Sequence, residues 1–299
     1  MTLRQLEIFL AVSREGNFTR AARALALSQP TLSEHMRELE KELGRPLFIR
    51  RKRSVTLTEA GRVFEPHARA AVQTVGDGRH AVLELDGLAR GSLLIGAGTT
   101  PGIYVLPEVL AEFARAYPGI EVTLRIANSR AIEEQIRANQ LDLGVVGGHG
   151  LAPGERCIAA GLVDELVLIV PRRHPWAKSR IVGATRLRDE RLLIREAGSA
   201  TREVMERALQ RAGVAIGRTM ELDHTEAIKQ GVMAGLGVAY VSIHAVRHEL
   251  ANRRLVAVRL RDVRIRRHFH VLLSELRGMT ASARALTRLL EDRARRAIR

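Results

Sequence analysis

The stretch Phe18-Thr-Arg-Ala-Ala-Arg-Ala-Leu-Ala-Leu-Ser-Gln-Pro-Thr-Leu-Ser-Glu-His-Met-Arg37, continued by Leu43-Gly-Arg-Pro-Leu-Phe-Ile-Arg-Arg-Lys-Arg-Ser-Val-Thr-Leu-Thr58, decides the reading of the first sixty residues. Leu32, Met36, Leu39 and Leu43 recur at helical spacing, so one stripe turns inward while Thr31, Ser33, Glu34, Arg37 and Lys41 face outward. Ser28 stands where its hydroxyl accepts from amides left without partners in the first turn, and Pro30 falls inside that turn, where its missing N–H costs nothing. The helix therefore starts near Gln29. Upstream, Thr19 is the candidate cap of a shorter helix whose Ala21, Ala22 and Leu25 allow close approach, and Leu3, Leu6, Phe9 and Leu10 supply a third helix to close the core. A recognition helix presents its first residues to the major groove, so Ser28, Gln29, Pro30, Thr31, Ser33 and Arg37 are the candidate contacts to bases and phosphates. Glu38, Glu40 and Glu42 are repelled by phosphate, so that end points away from a duplex.

After Gly44 the pattern changes to Leu47-Phe48-Ile49 and Val55-Thr56-Leu57, two β-prone runs flanking Arg50, Arg51, Lys52 and Arg53. They read as a wing with four cations at its hairpin tip. Arg50, Arg51 and Arg53 are candidate phosphate contacts, one of them able to enter a minor groove; such contacts set position and salt sensitivity more than sequence choice. A charge run alone reads as a solvated loop, and its place directly after a helix-turn-helix is what assigns it to DNA.

The ordered string Ala21-Ala22, Leu25, Ser28-Gln29-Pro30-Thr31-Leu32-Ser33, Leu39-Glu40, Leu43-Gly44, Leu47-Phe48, Arg50 and Leu57-Thr58-Glu59-Ala60-Gly61 resembles the LysR-type family of bacterial transcriptional regulators. The resemblance extends over essentially the whole chain. It implies a winged helix-turn-helix over residues 1–60, a linker and dimerisation helix over 58–90, and a two-lobed, periplasmic-binding-protein-like α/β effector domain over 91–299. Lobe I would take about 91–162 and 268–299, and lobe II about 163–267, with the chain crossing near Leu162 to Glu165 and near Arg266 to His268. The partners implied are double-stranded promoter DNA, a second copy or three further copies of the chain (homodimer or homotetramer), a small anionic metabolite and RNA polymerase.

Composition agrees independently. A chain of 299 residues with 46% hydrophobic content is long enough for about two domains with ordinary cores. The formal net charge of +15 favours a polyanionic partner, although much of the excess lies in Arg259 to Arg267 and in the tail Arg293 to Arg299. A lone cysteine, Cys157, makes no internal disulfide and lacks an activating neighbour beyond Arg156. The opening Met-Thr-Leu-Arg-Gln-Leu-Glu lacks the apolar core of a signal peptide and no run approaches a membrane span, so the cytoplasm is the expected compartment.

From Thr58 to about Ala89 one long helix is expected, capped by Thr58 and carrying Ala60, Val63, Phe64, Ala68, Ala71, Val72, Val75, Val82 and Leu85. Much of that stripe has nothing in its own chain to cover it, which calls for a partner helix. Pro66, Gly76 and Gly78 leave open a kink or a break into two pieces. Beyond the hinge at Arg90-Gly91-Ser92, short apolar runs at Leu93 to Gly96, Ile120 to Ile126 and Leu141 to Val146 alternate with helices near Tyr104 to Ala116 and Arg130 to Asn139. A second set follows at Leu166 to Val170, Leu192 to Arg195, Met220 to Leu222 and Val238 to Ser242, and a last helix spans Ala281 to Ala297. Alternation of this kind builds parallel sheet with crossover helices.

Helix starts locate the effector site. Thr99 and Thr100, Ser129, Ser199 with Thr201 and Arg202, and Thr225 each open a helix just after a strand, where free amides and hydroxyls bind anions. One such hydroxyl reads as an ordinary cap; four converging starts point to a small ligand carrying carboxylate, phosphate or an oxidised sulfur group, with Arg202 and Arg195 adding charge. No cofactor or metal is called for. Gly96 to Pro107, Asn128-Ser129, Leu141 to Gly148, Arg195 to Arg202 and Glu226 to Lys229 are similar to the branch of the family that regulates carbon fixation and sulfite or sulfur assimilation. Ala200 replaces a glycine common in that branch, and His224 a smaller residue.

Other function classes fare worse. Gly96, Gly98 and Gly102 have the wrong spacing for a dinucleotide loop, and no Gly-Lys-Ser or Gly-Lys-Thr run exists. His244 and His248 lie four apart on a helix and His268 and His270 on a strand, without a carboxylate or cysteine at zinc-site spacing. An enzyme therefore has no candidate reaction. A solute-binding protein for transport would need export, and an architectural DNA protein would show neither sequence preference nor a response to small anions.

Overall fold

The computed structural model describes residues 1–51, 54–83, 90–148, 155–274 and 279–298. They fall into two compact units, Met1–Leu83 and the bulk of the chain from residue 84 onward. The first unit packs α1 (Leu3–Glu15), α2 (Phe18–Ala24) and α3 (Gln29–Leu43) with a hairpin of β1 (Phe48–Arg51) and β2 (Ser54–Leu57), followed by α4 (Glu59–Leu83). Phe9, Ile8, Val12, Ala21, Leu32, Met36 and Leu39 are all fully buried at its centre, and Phe9 meets Phe48 and Phe64 with ring centroids 5.3 Å away in each case. Leu3 and Leu43, expected inside, are each 38% exposed. They sit in the first and last turns, where the stripe has run past the neighbouring helices.

The caps follow the local chemistry. Ser28 accepts from the Thr31 amide at 3.2 Å, as its position demands. Asn17, not Thr19, caps α2 by accepting from the Arg20 amide at 3.0 Å, because Phe18 is drawn into the core as the first helical residue. Thr19 instead donates to Gln29 Oε1 at 3.0 Å and tethers the start of α3. Replacing Ser28 by alanine is expected to lower the stability of this unit by about 1 kcal/mol in urea or thermal unfolding, with Ser28→Asn restoring it.

Thr58 begins α4 by accepting from the Gly61 amide at 3.0 Å. A Cβ at Gly61 would lie 2.2 Å from the Leu47 carbonyl oxygen, so only glycine lets the helix approach the wing this closely. The helix runs unbroken through Pro66, Gly76 and Gly78, contrary to the break those residues allow. Its first half is held by Phe64, Ala68 and Val72 against the core and by Ser13 donating to Glu65 at 2.9 Å; this packing outweighs the hydrogen bond that Pro66 forgoes.

The second unit is α/β. It begins with β3 (Gly91–Gly98), α5 (Thr99–Tyr104), α6 (Leu106–Ala116), β4 (Ile120–Ala127), α7 (Ser129–Arg137) and β5 (Leu143–Gly147). The long β6 (Glu155–Pro171) leads to α8 (Trp176–Ser179), β7 (Ile181–Val182), β8 (Leu192–Ile194), α9 (Ala200–Arg211), β9 (Thr219–Glu221), α10 (Thr225–Met233), β10 (Val238–Ser242), α11 (Ile243–Ala251) and β11 (Leu255–Leu260). The chain returns along β12 (Ile265–Ser274) to α12 (Ala281–Ile298). The helix expected near Tyr104 to Ala116 is α6, opened by Pro107 in its first turn, and the short α5 ends at Tyr104 just before it.

The strands are ordered β4-β3-β5-β12-β6-β10-β8-β9, with β11 beside β6 and β7 beside β11. Around β3, strands β4 and β5 are parallel; around β8, strands β9 and β10 are parallel. Each trio therefore has a point where the chain leaves to opposite sides, and helices there open beyond the strand ends. Between the trios, β6 and β12 are antiparallel along both, with Ile265 to His268 opposite Leu166 to Val163 and His270 to Ser274 opposite Ala159 to Glu155. The apolar side chains gather accordingly. Leu93, Ile95, Phe113, Phe269 and Leu286 fill one lobe; Leu168, Leu192, Met205, Val238 and Ile265 fill the other.

Candidate functional site

In the first unit, Ser28, Gln29, Pro30, Thr31 and Arg37 are exposed on α3 and Ser33 is half-buried. Gln29, Ser33 and Arg37 are four residues apart and share a helix face that adjoins, about a quarter turn round, the buried face of Leu32, Met36 and Leu39. Ser28 is committed to the cap, its hydroxyl also 2.8 Å from that of Thr31. Arg50 lies within β1 and not at a tip, with its guanidinium carbon 4.3 Å from the centroid of Phe18. Arg51 closes β1, while Lys52 and Arg53 lie outside the described residues.

In the second unit two arginines bring the helix starts together. Arg195 follows β8 and is 4% exposed; its Nε and Nη2 donate to Glu196 at 2.7 and 2.9 Å, its Nη1 to Thr225 at 2.8 Å and its Nη2 to Thr99 at 3.3 Å. Arg267 lies on β12 where the chain passes between lobes. Its Nε donates to Asp164 at 2.8 Å, its Nη1 to Thr201 at 3.0 Å and its Nη2 to Thr100 at 3.1 Å. Asp164, fully buried on β6, also accepts from Ser242 at 2.6 Å. Burial pushes the Arg267 guanidinium below the usual arginine value, Asp164 opposes that, and the charge of Arg195 adds to it. Each carboxylate thus covers one edge of its guanidinium, and the remaining N–H groups face threonine hydroxyls.

Arg195, Arg267, Thr99, Thr100 and Thr201, together with Gly98, Pro101, Asn128, Ser129, Gly147, Ser199 and Ala200, enclose a cavity of about 10 Å³, the size of one water. Ser129 and Ser199 are each 4% exposed, and Ser199 makes no capping bond although it precedes α9. The lobes are clasped across the cavity, the Arg130 amide donating to the Gly198 carbonyl at 3.2 Å. Gly147 allows the guanidinium of Arg267 to lie close: a Cβ there would be 3.2 Å from its Cζ, Nε and Nη1. Thr99, Thr100, Ser129, Ser199, Thr201 and Thr225 are therefore drawn to one place, Thr225 through Arg195.

Arg202 is not. Its guanidinium donates to Glu206 at 2.8 Å, Glu221 at 2.7 Å and the Arg195 carbonyl at 3.0 Å, outside the cavity lining, because its place in the first turn of α9 turns it toward Glu221 of β9. Arg267 and Asp164 went unrecognised in the sequence as site residues. The alternation Ile265, Arg267, Phe269, buried between exposed Arg266 and His268, was the available signal.

Comparison with known proteins agrees with this architecture. Residues 3–62 match the model for the bacterial regulatory helix-turn-helix protein of the lysR family, and residues 86–295 that for the LysR substrate binding domain. The chain is 35% identical to the RuBisCO operon transcriptional regulator of Allochromatium vinosum over 99% of its own length and 97% of the relative's. The regulatory domain of CcmR from Synechocystis PCC6803, solved in complex with 2-PG, is 29% identical, covers 69% of this chain and 98% of that one, and superposes with a TM-score of 0.64. Full-length CbnR, solved with its target DNA, shares the fold at a TM-score of 0.73 and 23% identity, covering 98% of this chain and all of that one. The chain belongs to the LysR family and is a DNA-binding transcriptional regulator.

Proposed function

We propose that this regulator binds promoter DNA as a homodimer or homotetramer and that a small anion in the cleft between its lobes sets its activity. The observation that carries the reading is the pair of buried arginines, Arg195 and Arg267, each aiming N–H groups at threonines around a closed cavity. An anion entering there would accept the bonds that Thr99, Thr100, Thr201 and Thr225 now accept, and the freed hydroxyls would turn to donate to it. The positive end of α9, which opens at the cavity, favours negative charge in the same place. The cavity is closed down to about 10 Å³, room for one water, so an anion enters it only as the lobes part. 2-PG, with which the CcmR regulatory domain was solved, is one probe for it.

DNA contact is assigned to Gln29, Thr31, Ser33 and Arg37 for bases, with Arg50, Arg51 and Arg53 on phosphates. Oligomerisation is assigned to α4, where Val75 and Val82, seven residues apart, are 54% and 65% exposed on a helix long enough to pair with a second copy. Two copies present two recognition helices to two half-sites, and RNA polymerase is the partner that would read the resulting complex. Among the described residues no helix is long and apolar enough to cross a membrane.

The test is a titration of the full chain on the DNA upstream of its own gene, with and without 2-PG, inorganic phosphate or sulfate. Arg195→Gln and Thr100→Ala are expected to retain DNA affinity and lose the anion response. A ligand acts only through its different affinities for two states, so an unaltered response in both variants would sink the assignment.

A further inference from the structure

A second cationic cavity lies beside the cleft and shares Arg267 with it. This groove, about 640 Å³, is bounded by the later turns of α9 and the beginning of β12 and is lined by Arg207, Arg211, Arg264, Arg266 and His268. All five are exposed. Asp262 is the one carboxylate among the described lining residues, and Glu203 reaches Arg207 at 3.6 Å. The side chains of Arg211, Arg264, Arg266 and His268 have no hydrogen-bond or ion-pair partner among the described residues. Cations collected in a concavity without matching carboxylates repel one another, and the cost is relieved by a bound anion.

We propose that this groove is a binding site for a small molecule carrying several phosphate charges, a pyrophosphate or longer. Arg207 and Arg211 are one helical turn apart, which places two guanidinium forks side by side, the spacing suited to neighbouring phosphoryl groups. A concave volume of about 640 Å³, within the range of metabolite sites, fits a compact ligand. The groove goes beyond the cleft reading and adjoins it. Arg267 lines both cavities, its stem in the groove (a Cβ at Gly148 would lie 3.6 Å from its Cδ) and its guanidinium in the cleft. Helix α9 likewise opens at the cleft with Thr201 and continues past the groove with Arg211. A polyphosphate bridging α9 to β12 therefore steadies the two elements that bring Thr201 to Arg267, and binding at either cavity alters affinity at the other.

Calorimetric titration of the full chain with inorganic tripolyphosphate at physiological ionic strength tests the site. Saturable binding is expected, weakened about tenfold or more in Arg207→Ala/Arg211→Ala, since each removed contact is a charge-assisted hydrogen bond. Arg207→Lys/Arg211→Lys, which keeps both charges, should recover part of it. Arg172→Ala/Arg173→Ala, an equal loss of charge on an exposed turn, should leave binding unchanged, and Arg195→Gln should retain it while losing the cleft response. Absence of saturable binding, full affinity in Arg207→Ala/Arg211→Ala, or an equal loss in the charge-matched control would overturn the proposal. So would loss in Arg195→Gln, which would place tripolyphosphate in the cleft and leave the cleft reading standing. If Arg207→Ala/Arg211→Ala weakened DNA binding instead, the groove would belong to nucleic acid and the proposal would fail.

Discussion

Arg267→Ala should destabilise the regulatory domain by about 3–5 kcal/mol, the cost of stranding a buried charge whose partner has been removed. Asp164 is fully buried and would keep, among the described residues, the hydrogen bond from Ser242; Thr100 and Thr201 would lose their donor. The expected reading in urea unfolding is a lower midpoint. Joint replacement by Arg267→Met and Asp164→Leu should recover much of the loss, because apolar side chains of similar size avoid the desolvation cost altogether. If Arg267→Ala alone were neutral, the guanidinium would not be holding the crossing strands, and the cleft would have to be described without it. The recovered double variant should be stable and unresponsive to anions, which separates the structural from the ligand-binding duty of the pair.

Phe9→Ala is expected to abolish DNA binding. The ring is fully buried between Phe48 of the wing and Phe64 of α4, so its removal empties the junction of three elements and costs about 3–5 kcal/mol. A core formed by some sixty residues supplies about that much in total, so the winged unit would be largely unfolded at 25 °C. Gel shifts should show no complex while anion-dependent stabilisation of the regulatory domain persists. Retained DNA binding would mean that Leu32, Met36 and Leu39 sustain the unit without the aromatic cluster.

The winged unit was almost wholly legible because its determinants are local. Ser28 and Pro30 mark the start of α3, the spacing of Leu32, Met36 and Leu39 marks its inner face, and Thr58 marks α4. Errors fell at helix ends: Thr19 has the chemistry of a cap, but Asn17 takes the role because tertiary packing claims Phe18. Pro66 left a kink or break open in a helix expected to be long, and its local preference is outweighed by contacts with α1. In the regulatory domain, helix starts at Thr99, Ser129, Ser199 and Thr225 could be read, since each follows a strand. What joins them could not. Arg195 and Arg267 reach residues 96 and 167 positions away in sequence, and nothing in a run as arginine-rich as Arg259 to Arg267 singles out the inward member except its alternation with Ile265 and Phe269. Arg202 was the arginine singled out for the site, yet one helical step from Thr201 turns it toward Glu206 and Glu221, and Arg195 takes the buried place.

The two strands that carry the chain between lobes are also the strands that bear Asp164 and Arg267, paired opposite one another, with a register irregularity between His268 and His270. The lobes are consequently joined by a ribbon and not by loose tethers. A ribbon resists stretching and shear but yields to twist, so any gaping of the mouth must be taken up as torsion at that irregularity. The ion pair sits at the fulcrum, where a small rotation sweeps the guanidinium tip through a much larger arc, and chemistry at the tip is geared directly to the relative attitude of the lobes.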